Sequence, residues 1–275
     1  MRIAVIADIH ANFEALKATF EDIEKRNVDR IICIGDIIGK GHHPKECIKL
    51  IKEKCDVVLI GNNDRYFTNL DNIDEISGIE KKRKLWNYNL TSDEEKEYLR
   101  KLPFSHEFYL SGSLVRLFHA TPWADDKAIL NTTPFRDKIK MFLPTDKTSS
   151  AIADVVVYGH IHQAFMDRFN NKTIINVGSV GNSWEVIRNE KYDSDDMEET
   201  RSQYLILEGE YGAREYEKPF SFEFIRVKYD IEKELADSDK NLEKEEYEEE
   251  LRSGKYRNMK MIFDNFKKNN IDLYE

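Results

Sequence analysis

Cysteine is scarce. Cys33, Cys47 and Cys55 are the three in 275 residues, an odd number without C-x-x-C spacing. They speak against a disulfide framework and read as reduced thiols of a cytoplasmic protein. Long apolar runs are missing too, since none approaches the ~18 residues that a membrane span requires. Met1 leads directly into a strand-like segment over residues 2–7, which leaves no room for a secretory leader. There is no surplus of basic charge: 42 Lys and Arg stand against 52 Asp and Glu, a net charge of −10. That balance argues against a broad face for long nucleic acid. Internal repeats and low-complexity tracts are also absent. What the chain does have is 15 Phe, 13 Tyr and 3 Trp, enough to fill a core and exclude disorder throughout. At ~150 residues per domain, the length allows one to two domains.

Hydrophobic periodicity orders the chain. Residues 3–7, 30–34 and 57–60 read as β-branched strands. Between them, Phe13, Leu16, Phe20 and Ile23 carry a 3–4 spacing that predicts a helix over 13–26. Pro44 sits at the first turn of another, running to about Lys54. Strands alternating with helices of this length predict βαβ units and a mostly parallel sheet. Residues 65–103 break the rhythm and predict a helical cap insertion, with a capping-box start at Ser92-x-x-Glu95. Strands resume over 107–110, 114–118, 155–158, 165–168, 173–177, 203–207 and 222–227, with a short helix from Thr133-Pro134 to before Pro144. Two sheets packed face to face with helices outside fit this length better than one. Residues 1–228 form that unit, and 229–275 read as an acidic helical extension. Its stretch 230–251 carries few apolar residues (Ile231, Leu235, Leu242 and Leu251) and predicts a solvated appendage. A lid or homodimer arm is the alternative, resting on Tyr247, Tyr256, Met259, Met261, Ile262 and Phe263.

Five of the apolar strands deliver polar chemistry at the same end. Asp8 and His10 follow the first, Asp36 the second, Asn62, Asn63 and Asp64 the third, His119 and then His160 and His162 two later ones. The carboxyl edge of such strands is where ligands bind in α/β sheets. Any one of these residues is ordinarily a cap, a turn or a structural histidine. A fivefold coincidence points instead to a metal site. Asp8, His10, Asp36, Asn62, His119, His160 and His162 supply oxygen and imidazole donors without thiolate. That is too many for one tetrahedral zinc and suits two ions sharing a carboxylate, with manganese, iron or zinc favoured over calcium. Alternation in an extended segment would turn Asp8 and His10, and likewise His160 and His162, to one side.

The blocks D-x-H, G-D, G-N-N-D, a lone His and G-H-x-H resemble, in order, those of the calcineurin-like metallophosphoesterases. The stretch Asn176-Val177-Gly178-Ser179-Val180-Gly181 resembles the N-P-G-S-x-G turn of the small bacterial and archaeal members. The resemblance implies a four-layer αββα sandwich of two mixed sheets. It implies one ion held by Asp8, His10, His162 and Asp36, and a second by Asn62, His119, His160 and the same Asp36. Hydrolysis by a hydroxide bridging the two ions is implied with them. Asn12 and Arg65 are candidate phosphate contacts, their plainer roles being a helix cap and a surface charge. Length and the acidic tail resemble a Gram-positive subgroup of asymmetrical diadenosine tetraphosphatases and phosphodiesterases. Small nucleotides are therefore the expected substrates, with Tyr66, Phe67, Trp86 and Trp123 available for stacking or, more plainly, for packing. A phosphomonoesterase acting on other metabolites is the runner-up. A non-catalytic scaffold, as in the retromer subunit of similar fold, is the alternative from another class.

One block departs from the family pattern: Asn63 stands where many members have His. An amide donates a hydrogen bond but cannot act as a general acid near neutral pH. His42 and His43 follow the Gly39-Lys40-Gly41 turn and are either substitutes or exposed loop residues. Replacing Asn63 with His is expected to raise turnover of esters with poor leaving groups ~10²-fold or more while changing activated nitrophenyl esters little. Equal effects on both ester types would mean that Asn63 does not face the leaving group.

Overall fold

Side chains part alternately along residues 2–6, as a strand requires. Ile3 and Val5 join one buried cluster, Ala4 and Ile6 another. This strand, β1 (Arg2–Ile6), is the centre of a five-stranded sheet. β2 (Arg30–Cys33) and β3 (Val57–Val58) run parallel to it on one side. Antiparallel β9 (Ser202–Glu208) and β10 (Ser221–Val227) complete the other. The second sheet has the order β4 (Ser105–Leu110), β5 (Ser113–Phe118), β6 (Val155–Tyr158), β8 (Lys172–Asn176) and β7 (Phe165–Phe169). Its centre, β5–β6–β8, is parallel and its two edge pairs are antiparallel. The computed structural model describes residues 1–183, 200–216 and 219–254.

The sheets meet through Val5, Ile32, Ile34, Leu117, Val155, Val157, Ile175 and Leu205, all buried in one inner cluster. On the outer face of the first sheet, α1 (Phe13–Glu24) and α2 (Pro44–Lys54) bury Leu16, Phe20, Ile48 and Ile51. On that of the second, α6 (Phe135–Lys138) and the 3-10 turn Ile139–Phe142 bring Met141 and Phe142 against Val156, Tyr158 and Ile174. The result is an αββα sandwich of two mixed sheets, as the sequence implies.

Two boundaries differ from expectation. β3 leaves the ladder after Val58, because Leu59 still donates to Cys33 O but Ile60 donates to Pro103 O. The inserted segment begins at α3 (Asn62–Phe67), continues through α4 (Gly78–Leu90) and ends in α5 (Asp93–Arg100). The capping box at Ser92 and Glu95 forms. Phe67 and Leu99 are buried with α1 and α2, so part of this segment completes the helical layer.

The extension is not simply solvated. After β10, Asp230 caps α7 (Ile231–Leu235), and α8 (Lys244–Ser253) follows, ending at Gly254 in the left-handed region (φ 67°). Leu235, Tyr247 and Leu251 are buried together, while Leu242 is exposed. Glu234 accepts from Glu14 N and from the Tyr247 hydroxyl. Glu250 pairs with Lys40 at 3.0 Å and accepts from Asn182. The acidic composition misleads here because the buried carboxylates have partners on the core. Tyr256, Met259, Met261, Ile262 and Phe263 lie outside the described residues. Tyr247→Ala is expected to cost about 3–5 kcal/mol locally, the usual range for deleting a fully buried aromatic ring. Limited proteolysis should then cut within residues 230–254 while the sandwich stays folded; cleavage unchanged from the parent chain would contradict this docking.

Candidate metal centre

The ligand set is assembled by turns at the ends of β1, β2, β3, β5 and β6. Asp8, His10, Asp36, His160 and His162 all have positive φ, between 51° and 69°. The expectation from extended alternation is therefore corrected: left-handed turns, not strand pleat, aim these side chains. Asp and His tolerate that region better than most residues, yet each still stores strain on the order of 1–3 kcal/mol. Backbone hydrogen bonds hold the turns in place. Asp8 N donates to Gly35 O, while Ile9 N and His10 N both donate to Asp36 O. Asp64, which carries no assigned role in the sequence reading, accepts from the N–H groups of Asp36, Ile37, Ile38 and Gly61. A Cβ on Gly61 would lie 2.2 Å from both Asp36 N and Asp36 Oδ1, so only glycine lets the two loops approach.

All seven residues come together. His10 Nε2 lies 2.9 Å from His162 Nε2, and Asp8 Oδ1 is 3.8 and 3.3 Å from these two nitrogens. On the other side, His119 Nε2 lies 3.4 Å from Asp36 Oδ2. The Asn62 amide sits between His119 Nε2 (3.1 Å) and His160 Nδ1 (2.9 Å). Turned one way it donates to both rings; turned the other it presents its oxygen, the orientation a cation would select. Asp36 stands between the groups, its Oδ2 3.7 Å from His10 Nε2 and 3.4 Å from His119 Nε2.

These donors fit metal ions. Asp8 Oδ1 is fully buried without a hydrogen-bond partner, a costly state for a carboxylate unless a cation meets it. Asp8, His10 and His162, and again Asp8, Asp36 and His119, each offer three ligand atoms within 4.8 Å of one another. The outward ring nitrogens are tied down: His119 Nδ1 to Ile34 O at 2.9 Å and His162 Nδ1 to Asn182 O at 2.7 Å. Such bonds fix a metal-binding ring in orientation. Burial holds His10 and His160 neutral, with pKa values lowered to about 3 and about 4. Burial opposes ionisation of Asp36, yet His119 and the Asn63 N–H hold its carboxyl well below the usual range. Burial likewise disfavours a charged His119, but Asp36 and Asp8 raise it to about 10. The site is thus built around positive charge.

The residues predicted to touch substrate are placed differently. Asn12 is buried and its amide is spent: Oδ1 caps α1 at Ala15 N, and Nδ2 donates to Gly181 O and to Tyr229. It is a positioning residue rather than a free phosphate donor. Arg65 is half-exposed and held by a bidentate pair to Asp125 at 2.6 and 2.7 Å. Asn63 donates from its backbone to Asp36 Oδ1 at 2.8 Å and from its amide to Asp36 Oδ2. His42 is buried rather than exposed, with its ring against His43 and Tyr247. Phe67 is buried in the helical layer, and Tyr66 lies under Lys84. Trp123 is 38% exposed.

Sequence reasoning marks the stretch after β8 as a family motif but assigns its residues no role. Asn176 donates to Gly159 O, Ser179 Oγ to Asp8 O, and Asn182 O orients His162. The N-x-G-S-x-G stretch was the available signal; its role as a clamp on the Asp8 turn needed the hydrogen bonds.

A model of the calcineurin-like phosphoesterase superfamily domain matches residues 1–191. The chain belongs to that superfamily. Metal-dependent phosphoester hydrolysis is accordingly its chemistry. Protein MJ0912 of Methanocaldococcus jannaschii is 29% identical over 248 residues, covering 84% of this chain and 89% of the relative. Two solved structures share the fold. The metallophosphoesterase from Sphaerobacter thermophilus has 24% identity and a TM-score of 0.63, over 86% of this chain and 92% of that one. Protein PH1004 of Pyrococcus horikoshii has 20% identity and a TM-score of 0.71, over 93% and 99%. Among the described residues, no helix is long and apolar enough to cross a membrane.

Gly61→Ala is expected to displace Asp36 and weaken metal binding ~10–100-fold, read by titration of the stripped protein with manganese. Undiminished affinity would mean that the contact between these two loops does not shape the site.

Proposed function

We propose that this phosphoesterase works with two divalent ions and hydrolyses phosphodiester or phosphoanhydride bonds in small nucleotides, diadenosine tetraphosphate among them. The observation that carries the reading is Asp36, whose Oδ2 lies within 3.7 Å of ring nitrogens from both halves of the ligand set. Asp8, His10 and His162 would hold one ion with Asp36, and Asn62, His119 and His160 the other. Manganese suits the mixed nitrogen and oxygen donors, as do iron and zinc. Two such ions supply an activated water and neutralise charge on the phosphoryl oxygens.

The chain's own residues do the rest. Asp64 holds the Asp36 turn through four backbone N–H groups, so the shared carboxylate does not drift. Asn63 offers an amide donor and no transferable proton, which favours leaving groups that depart as stable anions: nucleotides and pyrophosphates rather than simple alkoxides. Arg65, fixed by Asp125, presents a planar guanidinium suited to phosphate. Trp123, two residues before Asp125 and partly exposed, is an aromatic available to a nucleobase. The net charge of −10 repels polyanions at long range, which favours small substrates over long nucleic acid. Three unpaired cysteines, two of them buried, support a cytoplasmic location.

Purified protein with manganese is expected to hydrolyse bis(p-nitrophenyl) phosphate faster than the mononitrophenyl ester, and to turn over dinucleoside polyphosphates. Asp36→Asn should remove turnover of both by ~10³-fold or more and weaken uptake of both ions. Preference for the monoester would point to a phosphatase. No turnover in protein carrying two ions would point to a scaffold.

A further inference from the structure

The loop that follows Asp36 also contributes to a second group of ligand-type side chains, none of which belongs to the set just described. His42 is 6% exposed, and neither Nδ1 nor Nε2 makes a well-formed hydrogen bond, only a loose approach to the Glu234 backbone. His43, partly exposed, packs its ring 4.3 Å from that of His42. Glu234, fully buried, comes from α7 in the extension. One ligand atom from each of the three lies within 4.8 Å of the others. Glu234 Oε1 accepts from Tyr247 and Oε2 from Glu14 N, and no cationic side chain pairs with it among the described residues. A buried carboxylate without a cationic partner, beside a buried imidazole that makes no well-formed hydrogen bond, is what a polar cluster missing its central cation looks like.

We propose that His42, His43 and Glu234 form a third metal site, separate from the dinuclear centre, that takes a zinc-type divalent ion and pins the C-terminal extension to the core. Two imidazoles and a carboxylate match zinc's preferred donors, and the exposed side of His43 leaves room for water as the fourth ligand. Burial holds His42 in the neutral form that ligation needs, with its pKa lowered to about 4. The Tyr247 hydroxyl orients the Glu234 carboxylate, the usual outer partner of a metal-bound carboxylate. The ion would join two distant stretches of chain, residues 42–43 and 234. That loop also touches the main centre, since Gly41 N donates to His10 O and His43 N to Ala11 O. Those backbone bonds do not involve the three side chains, so the site is structural and the turn that carries His10 keeps its form without the ion.

The test uses the full chain, reconstituted with zinc and freed of excess metal, with zinc per chain counted by mass spectrometry. His43→Ala and Glu234→Gln are each expected to lose one ion per chain while keeping manganese-dependent hydrolysis of bis(p-nitrophenyl) phosphate. His43 is partly exposed, so its variant should fold even where a change at Glu234 does not. In the parent chain, zinc at ten times its dissociation constant should slow proteolysis within residues 230–254 roughly ten-fold, and His43→Ala should abolish that protection. Unchanged zinc content in His43→Ala would overturn the proposal. So would loss of further ions together with turnover, because the effect would then lie at the main centre.

Discussion

The structure answers one electrostatic constraint: two carboxylates and three imidazoles are buried against one another, with a fourth imidazole, His160, partly exposed beside them. Asp8, Asp36, His10, His119 and His162 are each at most 3% exposed. Such crowding is unfavourable unless positive charge occupies the middle. The depressed carboxyl of Asp36 and the raised imidazole of His119 are two expressions of that demand. The strained left-handed turns at five of the candidate ligands are a third, because the surrounding sandwich holds them there.

The fold meets the constraint by packing two sheets face to face, so that the carboxyl ends of their central strands lie together. The first contributes the turns after β1, β2 and β3, the second those after β5 and β6. The inner cluster of Val, Ile and Leu fixes the distance between them. Glycine matters where loops from different strands touch: a Cβ on Gly159 would lie 2.6 Å from Asp8 Oδ2. The clamp after β8 then closes over the Asp8 turn through Ser179 and Gly181. The extension adds a last layer, since Glu250 engages both Lys40, beyond the Asp36 turn, and Asn182, whose carbonyl orients His162.

Much of this is legible in the chain because short continuous apolar runs end abruptly in Asp, Asn or His. Those ends lie where strands stop, and residue type at a strand end is visible without coordinates. How they converge was not legible. Extended alternation pairs Asp8 with His10 for the wrong reason, since φ is positive at both. Sequence leaves Asn12 open between a phosphate contact and a helix cap, and in the structure its oxygen caps α1. The extension looked solvated because composition cannot tell a buried, partnered Glu234 or Glu250 from an exposed one. Asp64 stayed unread because its four partners are backbone groups from two loops.

The central claim is that two ions share Asp36, and anomalous scattering from a manganese-soaked crystal tests it most directly. Two peaks roughly 3.5–4 Å apart are expected, one beside His10 and His162 and the other beside His119 and His160, with Asp36 between them. A single peak, or a pair that leaves Asp36 uncoordinated, would contradict it.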